Sequence, residues 1–412
     1  MSRISIGQRL SLIYKPPRRE KPNVHQYGPW QDMGFTSHQN KAGSFLVREV
    51  PVQEINVECP TTEFVWKVIE KKPKELELAK VCFLDLETTG LNLGAGAFAF
   101  TVGIGYLHSG KPVVRQYFLR DHREELAVLR DLQEFLEQFD GMATYNGKCF
   151  DWPLLSDRFL LHRLTPPDLE ELHLDLLHAA RRVWKGVLPS FSLREVERGI
   201  LGFERTNDLP GYLVPAAYVN FLRTGAVDEI PSILEHNCRD IASLIELIQR
   251  LERVFLGVDR CSWRDEVVNV AKIWADRRDP VRAIDYLEKY LDSGGSLTVP
   301  DLCFLARLHK GQGNYDRAAE LWNEAAATAS LNAEPWLELA KYYEHRQRDY
   351  SSARECALKA MEIETRMARL CGRTPKTQDL ARRLARLEAK LGFDIKRRSL
   401  VIRRRVTQID AD

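Results

Sequence analysis

An apolar run in this chain ends in two carboxylates placed two residues apart: Phe83-Leu84-Asp85-Leu86-Glu87-Thr88-Thr89-Gly90-Leu91. Side chains alternate faces along a strand, so Asp85 and Glu87 point the same way. Like charges held side by side repel, and each makes the other harder to ionise. The stretch therefore asks for a buried strand with something positive over the acidic pair. A hard divalent cation, Mg²⁺ or Mn²⁺, has the matching ligand chemistry. The competing reading, two exposed strand carboxylates, fits poorly with the apolar flanks.

The chain has 412 residues, room for about two to three domains. Its 44% hydrophobic and 29% charged content is that of a soluble globular protein. The net charge of +2 means that any nucleic-acid surface must be a local patch. No run of about 18 apolar residues occurs, so no transmembrane helix is expected. Met1 to Tyr14 has no uninterrupted signal-peptide core. The cysteines are scattered without a Cys-x-x-Cys pair, which argues against a zinc ribbon and reads as reduced thiols in a cytoplasmic protein.

Residues 1–80 read as an N-terminal arm and linker, with Pro16 to Pro22 as an exposed arm, Phe45-Leu46-Val47 and Val52 as a short strand or brace, and Lys71 to Lys74 as a linker. From residue 81 the pattern turns to strands. Val81 to Leu86 is the first. Phe98, Phe100, Val102, Ile104 and Tyr106 then alternate with Ala97, Ala99, Thr101, Gly103 and Gly105, giving one large face and one small face that a helix or a ligand can approach closely. Pro112 to Leu119 is a third strand, Glu124 to Phe139 an amphipathic helix and Met142 to Tyr145 a fourth strand. The chain after Asp151 reads as mostly helical up to Phe255.

Residues 263–391 carry a repeat. Leu302, Leu305, Ala306, Ala318, Trp322 and Ala325 recur, after a period of about 34 residues, as Trp336, Leu339, Ala340, Tyr343, Ala353, Ala357 and Ala360. A weaker copy runs through Val267, Ala271, Trp274, Ala283 and Leu287. The pattern matches tetratricopeptide repeats, with a last amphipathic helix at 377–391 as a cap. A basic tail, 392–412, follows.

Two further segments join the acidic pair. Tyr145-Asn146-Gly147-Lys148-Cys149-Phe150-Asp151 sets an aspartate just beyond the fourth strand, where it also fits a helix N-cap before Trp152-Pro153. His236-Asn237-Cys238-Arg239-Asp240 lies on a helix expected over Ser232 to Leu251, and His236 and Asp240 share one face. Asp240 stands among Ile241, Leu244 and Ile245, where an unpaired carboxylate is costly. Other features carry less. Gly94-Ala95-Gly96 and Gly103-x-Gly105 lack the Lys-Ser/Thr of a phosphate loop. Asp175 and His178 read as a structural pair on one helical face, and Arg181, Arg182 and Lys185 as a solvated face.

Taken in order, Asp85-x-Glu87, Asn146-x-x-x-Phe150-Asp151 and His236-x-x-x-Asp240 resemble the three signature segments of the DEDD exonuclease superfamily. More narrowly, residues 81–255 resemble the YprB-type RNase H-like family, whose members often carry tetratricopeptide repeats behind the nuclease domain. The superfamily's usual third segments are Tyr-x3-Asp or His-x4-Asp; this chain has the histidine at the tyrosine's spacing, as YprB-type proteins do. The resemblance implies an α/β fold, a mixed RNase H-like sheet flanked by helices at 81–258, with an all-α repeat domain at 263–391. It also implies metal-dependent 3′–5′ exonuclease action on single-stranded RNA or DNA. Two divalent ions, Mg²⁺ or Mn²⁺, about 3.5–4 Å apart would be held by Asp85, Glu87, Asp151 and Asp240. His236 would take the proton of the attacking water, since an imidazole ordinarily titrates near about 6.5. Thr88, Thr89 and Leu91 would meet the terminal nucleotide, and Asn146 would fix the loop that presents Asp151. The repeats imply a protein partner, and nothing implies a membrane. The alternative is a non-catalytic adaptor that binds nucleic acid or protein on the same architecture.

Overall fold

The computed structural model describes residues 29–53, 55–62, 65–70, 76–90, 97–206, 209–259, 261–328 and 331–392. They form two compact units: the residues up to Arg181 together with Leu188–Leu256, and Arg182–Val187 together with the residues from Gly257 on. Among the described residues no helix is long and apolar enough to cross a membrane.

The first unit is built on a seven-stranded mixed sheet in the order β1-β2-β5-β4-β3-β6-β7. Its strands are β1 (Thr36–Asn40), β2 (Gly43–Pro51), β3 (Val81–Thr88), β4 (Ala99–His108), β5 (Lys111–Phe118), β6 (Gly141–Thr144) and β7 (His173–Asp175). The β1-β2-β5-β4-β3 pairs are antiparallel; β6 runs parallel to β3, and β7 parallel to β6. Ser109 and Gly110, both in the left-handed region, close the β4–β5 hairpin with the turn that suits the strand twist.

Leu84, Leu86, Val102 and Ile104 form a core with α1 (Glu125–Leu136) and α2 (Asp151–Leu161), through Leu129, Leu132, Trp152, Leu155 and Phe159. On the opposite face lies the long helix α5 (Ile230–Leu256), packed on β3, β4 and β5. Its apolar side joins α4 (Val214–Thr224) in a second core with Trp30, Phe35, Phe100 and Phe118. Between them in sequence, α3 (Leu176–Val183) follows β7.

Gly103 and Gly105 explain the close seat of α5. A Cβ on Gly103 would lie 2.2 Å from Asn237 Oδ1 and 2.3 Å from Ile241 Cδ1. The small face of β4 therefore receives a helix, one of the two occupants its sequence allows. Strict alternation on β4 breaks at a bulge: Glu87 pairs with Thr101 and Thr88 with Ala99, leaving Phe100 as the extra residue. Phe100 consequently joins the core beneath α4, stacked on Tyr218 at 3.9 Å between ring centroids, while Val102 and Ile104 face α1.

Two sequence expectations are corrected here. The stretch read as an arm and linker with a short strand or brace at Phe45-Leu46-Val47 contributes two strands, β1 and β2, to the sheet: Phe45 and Val47 are buried against the α1 side, Leu46 on the other. The exposed polar sequence of β1, Thr36-Ser37-His38-Gln39-Asn40, belongs to an edge strand and gives no apolar alternation to find. The segment around Leu174–Asp175, read as helical, is the short strand β7, and the helix begins only at Leu176. Lys71 to Lys74, the Pro16 to Pro22 arm, Gly94-Ala95-Gly96 and residues 393–412 of the basic tail lie outside the described residues.

The second unit is a succession of paired helices: α6 (Arg264–Asp276) with α7 (Pro280–Asp292), α8 (Val299–Gly311) with α9 (Tyr315–Thr328), and α10 (Glu334–Tyr342) with α11 (Tyr350–Leu370). A last helix, α12, covers 378–392. The small and large positions that recur in the sequence are its buried contacts, Ala306, Ala318, Trp322, Ala325, Leu339, Ala340, Ala353, Ala357 and Ala360 among them.

Candidate functional site

Three elements of the first unit bring the four acidic residues together. Asp85 and Glu87 stand on β3, on the face toward α5; the intervening Leu86 points into the opposite core. Asp240 stands on α5. Asp151 is the first residue of α2, rather than its N-cap, which is Phe150. Its carboxylate accepts hydrogen bonds from its own amide and from that of Leu86, between the two β3 acids.

The loop that delivers Asp151 is itself tied down. Asn146 adopts a left-handed conformation, φ +64°. Its amide donates to the buried Asp175 Oδ1 at 2.9 Å, and the Lys148 amide to Oδ2 at 3.4 Å. Asp175, expected to pair with His178, instead bonds the backbone of this loop and the Leu177 amide. Gly147 crosses Thr144 so closely that a Cβ there would lie 2.5 Å from Thr144 Cβ. Lys148 Nζ pairs with Glu70 at 3.0 Å.

Each of Asp85, Asp151 and Asp240 is half-buried. Their electrostatics follow. Burial, and then the charges of Asp240, Glu87 and Asp151, push the Asp85 carboxyl well above its usual range. Burial first, with Asp175 and Asp240 adding, raises Asp151 to about 7 against the opposing backbone hydrogen bonds. Asp240 is also raised, chiefly by burial, although Arg205 and His236 oppose the rise. These carboxyls hold protons more tightly than ordinary ones, first because they are buried and, at Asp85 and Asp151, also because other acids stand near.

Donors from the protein relieve part of that repulsion. Asn237 Nδ2 donates to Asp85 Oδ2 at 2.7 Å and to the Asp85 carbonyl at 3.1 Å. Asn237 Oδ1 accepts from Gln116 Nε2 at 2.6 Å, and Gln116 Oε1 from Arg48 Nε at 2.7 Å, a chain of polar groups running to β2. Arg205 Nη2 lies 2.5 Å from Asp240 Oδ1. His236 is placed beside Asp240, Nε2 to Oδ2 at 3.9 Å, with Nδ1 3.5 Å from Arg205 Nη1.

Sequence reading expected four carboxylates converging on two cations. The structure brings their charges within mutual influence, but among the described residues no three acidic, imidazole or thiol side chains are placed to hold one ion. Asp85 is engaged by Asn237 and Asp240 by Arg205. The donor set nevertheless fits a hard divalent ion, being all carboxylate, recessed and charge-coupled. Thr88 and Thr89 spend their hydroxyls inside the turn after β3, Thr88 Oγ1 donating to the Gly90 carbonyl and Thr89 Oγ1 accepting from the Phe98 amide. Leu91 lies outside the described residues.

Asn237, Gln116, Arg205 and Asp175 were not singled out for these roles. Asn237 had a signal: it lies one turn before Asp240, facing the glycines of β4. Arg205, in an irregular connection, had none.

Residues 82–252 match the RNase H superfamily. The chain is 32% identical over 314 residues to YprB of Bacillus subtilis (strain 168), an uncharacterized protein, covering 75% of this chain and 74% of that one.

Proposed function

The chain belongs to the YprB family, with an RNase H superfamily domain, and from that premise we propose that it is a metal-dependent nuclease that hydrolyses phosphodiester bonds of single-stranded nucleic acid from the 3′ end. The observation that carries this reading is the charge coupling of Asp85 to Asp240, Glu87 and Asp151 across β3, α2 and α5. Such under-compensated carboxylates mark sites built to receive a cation or a proton.

Asp85, Glu87, Asp151 and Asp240 would hold two divalent ions, Mg²⁺ or Mn²⁺, which when bound supply Lewis-acid charge and an activated water. Asn237 holds Asp85 in place, Asp175 and Asn146 hold the loop of Asp151, and Arg205 holds Asp240. Thr88, Thr89 and Leu91 would border the terminal nucleotide. His236, beside Asp240 and Arg205, would take the proton of the attacking water. Replacement by Asn would then cost about 10²–10⁴-fold in turnover, as loss of a general base does. The helical pairs read as tetratricopeptide-like repeats that dock a protein partner, and the setting as cytoplasmic.

The test is a digest of 5′- and 3′-labelled single strands of RNA and DNA with Mg²⁺ or Mn²⁺. Stepwise shortening of the 5′-labelled strand, lost in Asp85→Ala, is the expected result. Equal turnover by Asp85→Ala would end the proposal. The rival reading, a non-catalytic adaptor, draws on the donors that already engage three of the four acids; strand binding without cleavage under every metal would favour it.

A further inference from the structure

We infer that Arg205 is a positioning residue of the acidic site: a resident cation that fixes Asp240 and sets how much positive charge the site still asks for. The inference rests on the metal-dependent reading above.

Arg205 lies in the irregular connection before α4, yet its side chain is only 3% exposed. Its anchor is Glu197, itself 1% exposed, which takes Nε at 2.7 Å through Oε2 and pairs with Nη2 through Oε1. Glu197 also accepts from Ser243 Oγ at 2.5 Å. Ser243 is on α5, three residues after Asp240, so the anchor is fastened to the same helix that carries the acid it serves. From that seat the guanidinium reaches Asp240 Oδ1 and His236 Nδ1 with its two terminal nitrogens. A planar fork with several donors suits this shared duty, and a lysine would lack the geometry.

Two consequences follow. Oδ1 of Asp240 is buried in an ion pair with Arg205, and Oδ2 lies toward His236 Nε2. One guanidinium is divided between two carboxylates, so the site's repulsion is reduced but not cancelled. An incoming dication meets the acidic field and, beside it, a fixed positive charge that opposes it.

The full chain, freed of metal, is titrated with Mn²⁺ by calorimetry, and strand digestion is measured separately. The main variant is Glu197→Gln with Arg205→Met, which removes anchor and cation together so that Glu197 is not left charged and unpaired. Expected is Mn²⁺ affinity tighter by a few-fold, since the removed cation stands nearer Asp240 than the removed Glu197 carboxylate, with turnover lower by about tenfold or more, from the loosened Asp240. Arg205→Lys, which keeps the charge and loses the fork, is expected to hold Mn²⁺ affinity near that of the parent while turnover falls. A prop that merely supports the fold would weaken Mn²⁺ binding and turnover together, and that result, or unchanged values for both, would overturn the assignment. If the double variant does not fold, Arg205→Lys decides: parental turnover overturns the assignment. Retained turnover in Asp85→Ala would instead sink the nuclease reading itself.

Discussion

A buried carboxylate in the helical unit and a group of carboxylates in the sheet unit have opposite charge balance. In the helical unit, Glu344 follows α10 with its side chain at 0% exposure. Three cations of α12 close on it: Arg383, Arg386 at 2.7 Å and Lys390 at 2.9 Å. Burial pushes its carboxyl up, but the hydrogen bonds of Arg386 and Lys390 and the charge of Arg383 outweigh that and hold it down at about 2. In the sheet unit, Asp85 and Asp151 are pushed up by burial and by other acids. A carboxylate with surplus positive charge around it is fastening two helices. Carboxylates short of positive charge store repulsion, which the fold maintains by holding β3, α2 and α5 in place and which a bound cation would release.

The largest effect expected from breaking this contrast is on the starved side. Asp85→Asn removes the central charge while keeping the Asn237 contact possible, and strand hydrolysis is expected to fall more than about 100-fold, with Mn²⁺ binding lost in calorimetry and the melting temperature kept or raised. Gly103→Ala tests the scaffold instead. Its Cβ would collide with Asn237 and Ile241, forcing α5 off β4, and a loss of about 1–3 kcal/mol in urea unfolding is expected, with turnover falling in step. On the saturated side, Glu344→Gln leaves three cations facing a neutral group. About 1–2 kcal/mol of stability should go from the helical unit, with turnover unchanged.

pH separates the two groups with opposite sign. Glu344's pKa is depressed, so its stabilisation is full above the unfolded value of about 4.5 and is lost as pH falls toward about 2. Asp151's is raised to about 7, so the native state binds more protons than the unfolded chain, and stability declines as pH rises from about 4 through 7. Protection factors from hydrogen exchange in EDTA should show β3 and α5 loosening over that upper window while α10 and α12 hold, and Mg²⁺ should remove the slope.

The legible parts of the molecule are those where one periodicity dominates. The acids of β3 follow a buried run, and His236 to Asp240 sit within a long apolar-striped helix, so their places on the fold could be read directly. The RNase H-like sheet with a following helical region was legible for the same reason. β7 was missed because three residues carry no period, and β1 because an exposed edge strand is polar throughout. Phe100 was placed on the wrong side of β4 because a single inserted residue inverts alternation, and nothing in the sequence announces a bulge. The donors of the site were hidden for a deeper reason. Arg205, Gln116 and Asn237 meet their partners across long sequence separations, and such pairings are set by packing, not by local pattern.

The most direct test is calorimetric titration of Mn²⁺ into the metal-free chain near pH 7, repeated in buffers of different ionisation heat. The charge balance at Asp85, Asp151 and Asp240 predicts saturable binding that expels protons into the buffer, with both signals gone in Asp85→Asn. Mn²⁺ binding without proton release, or the same isotherm from Asp85→Asn, would contradict it.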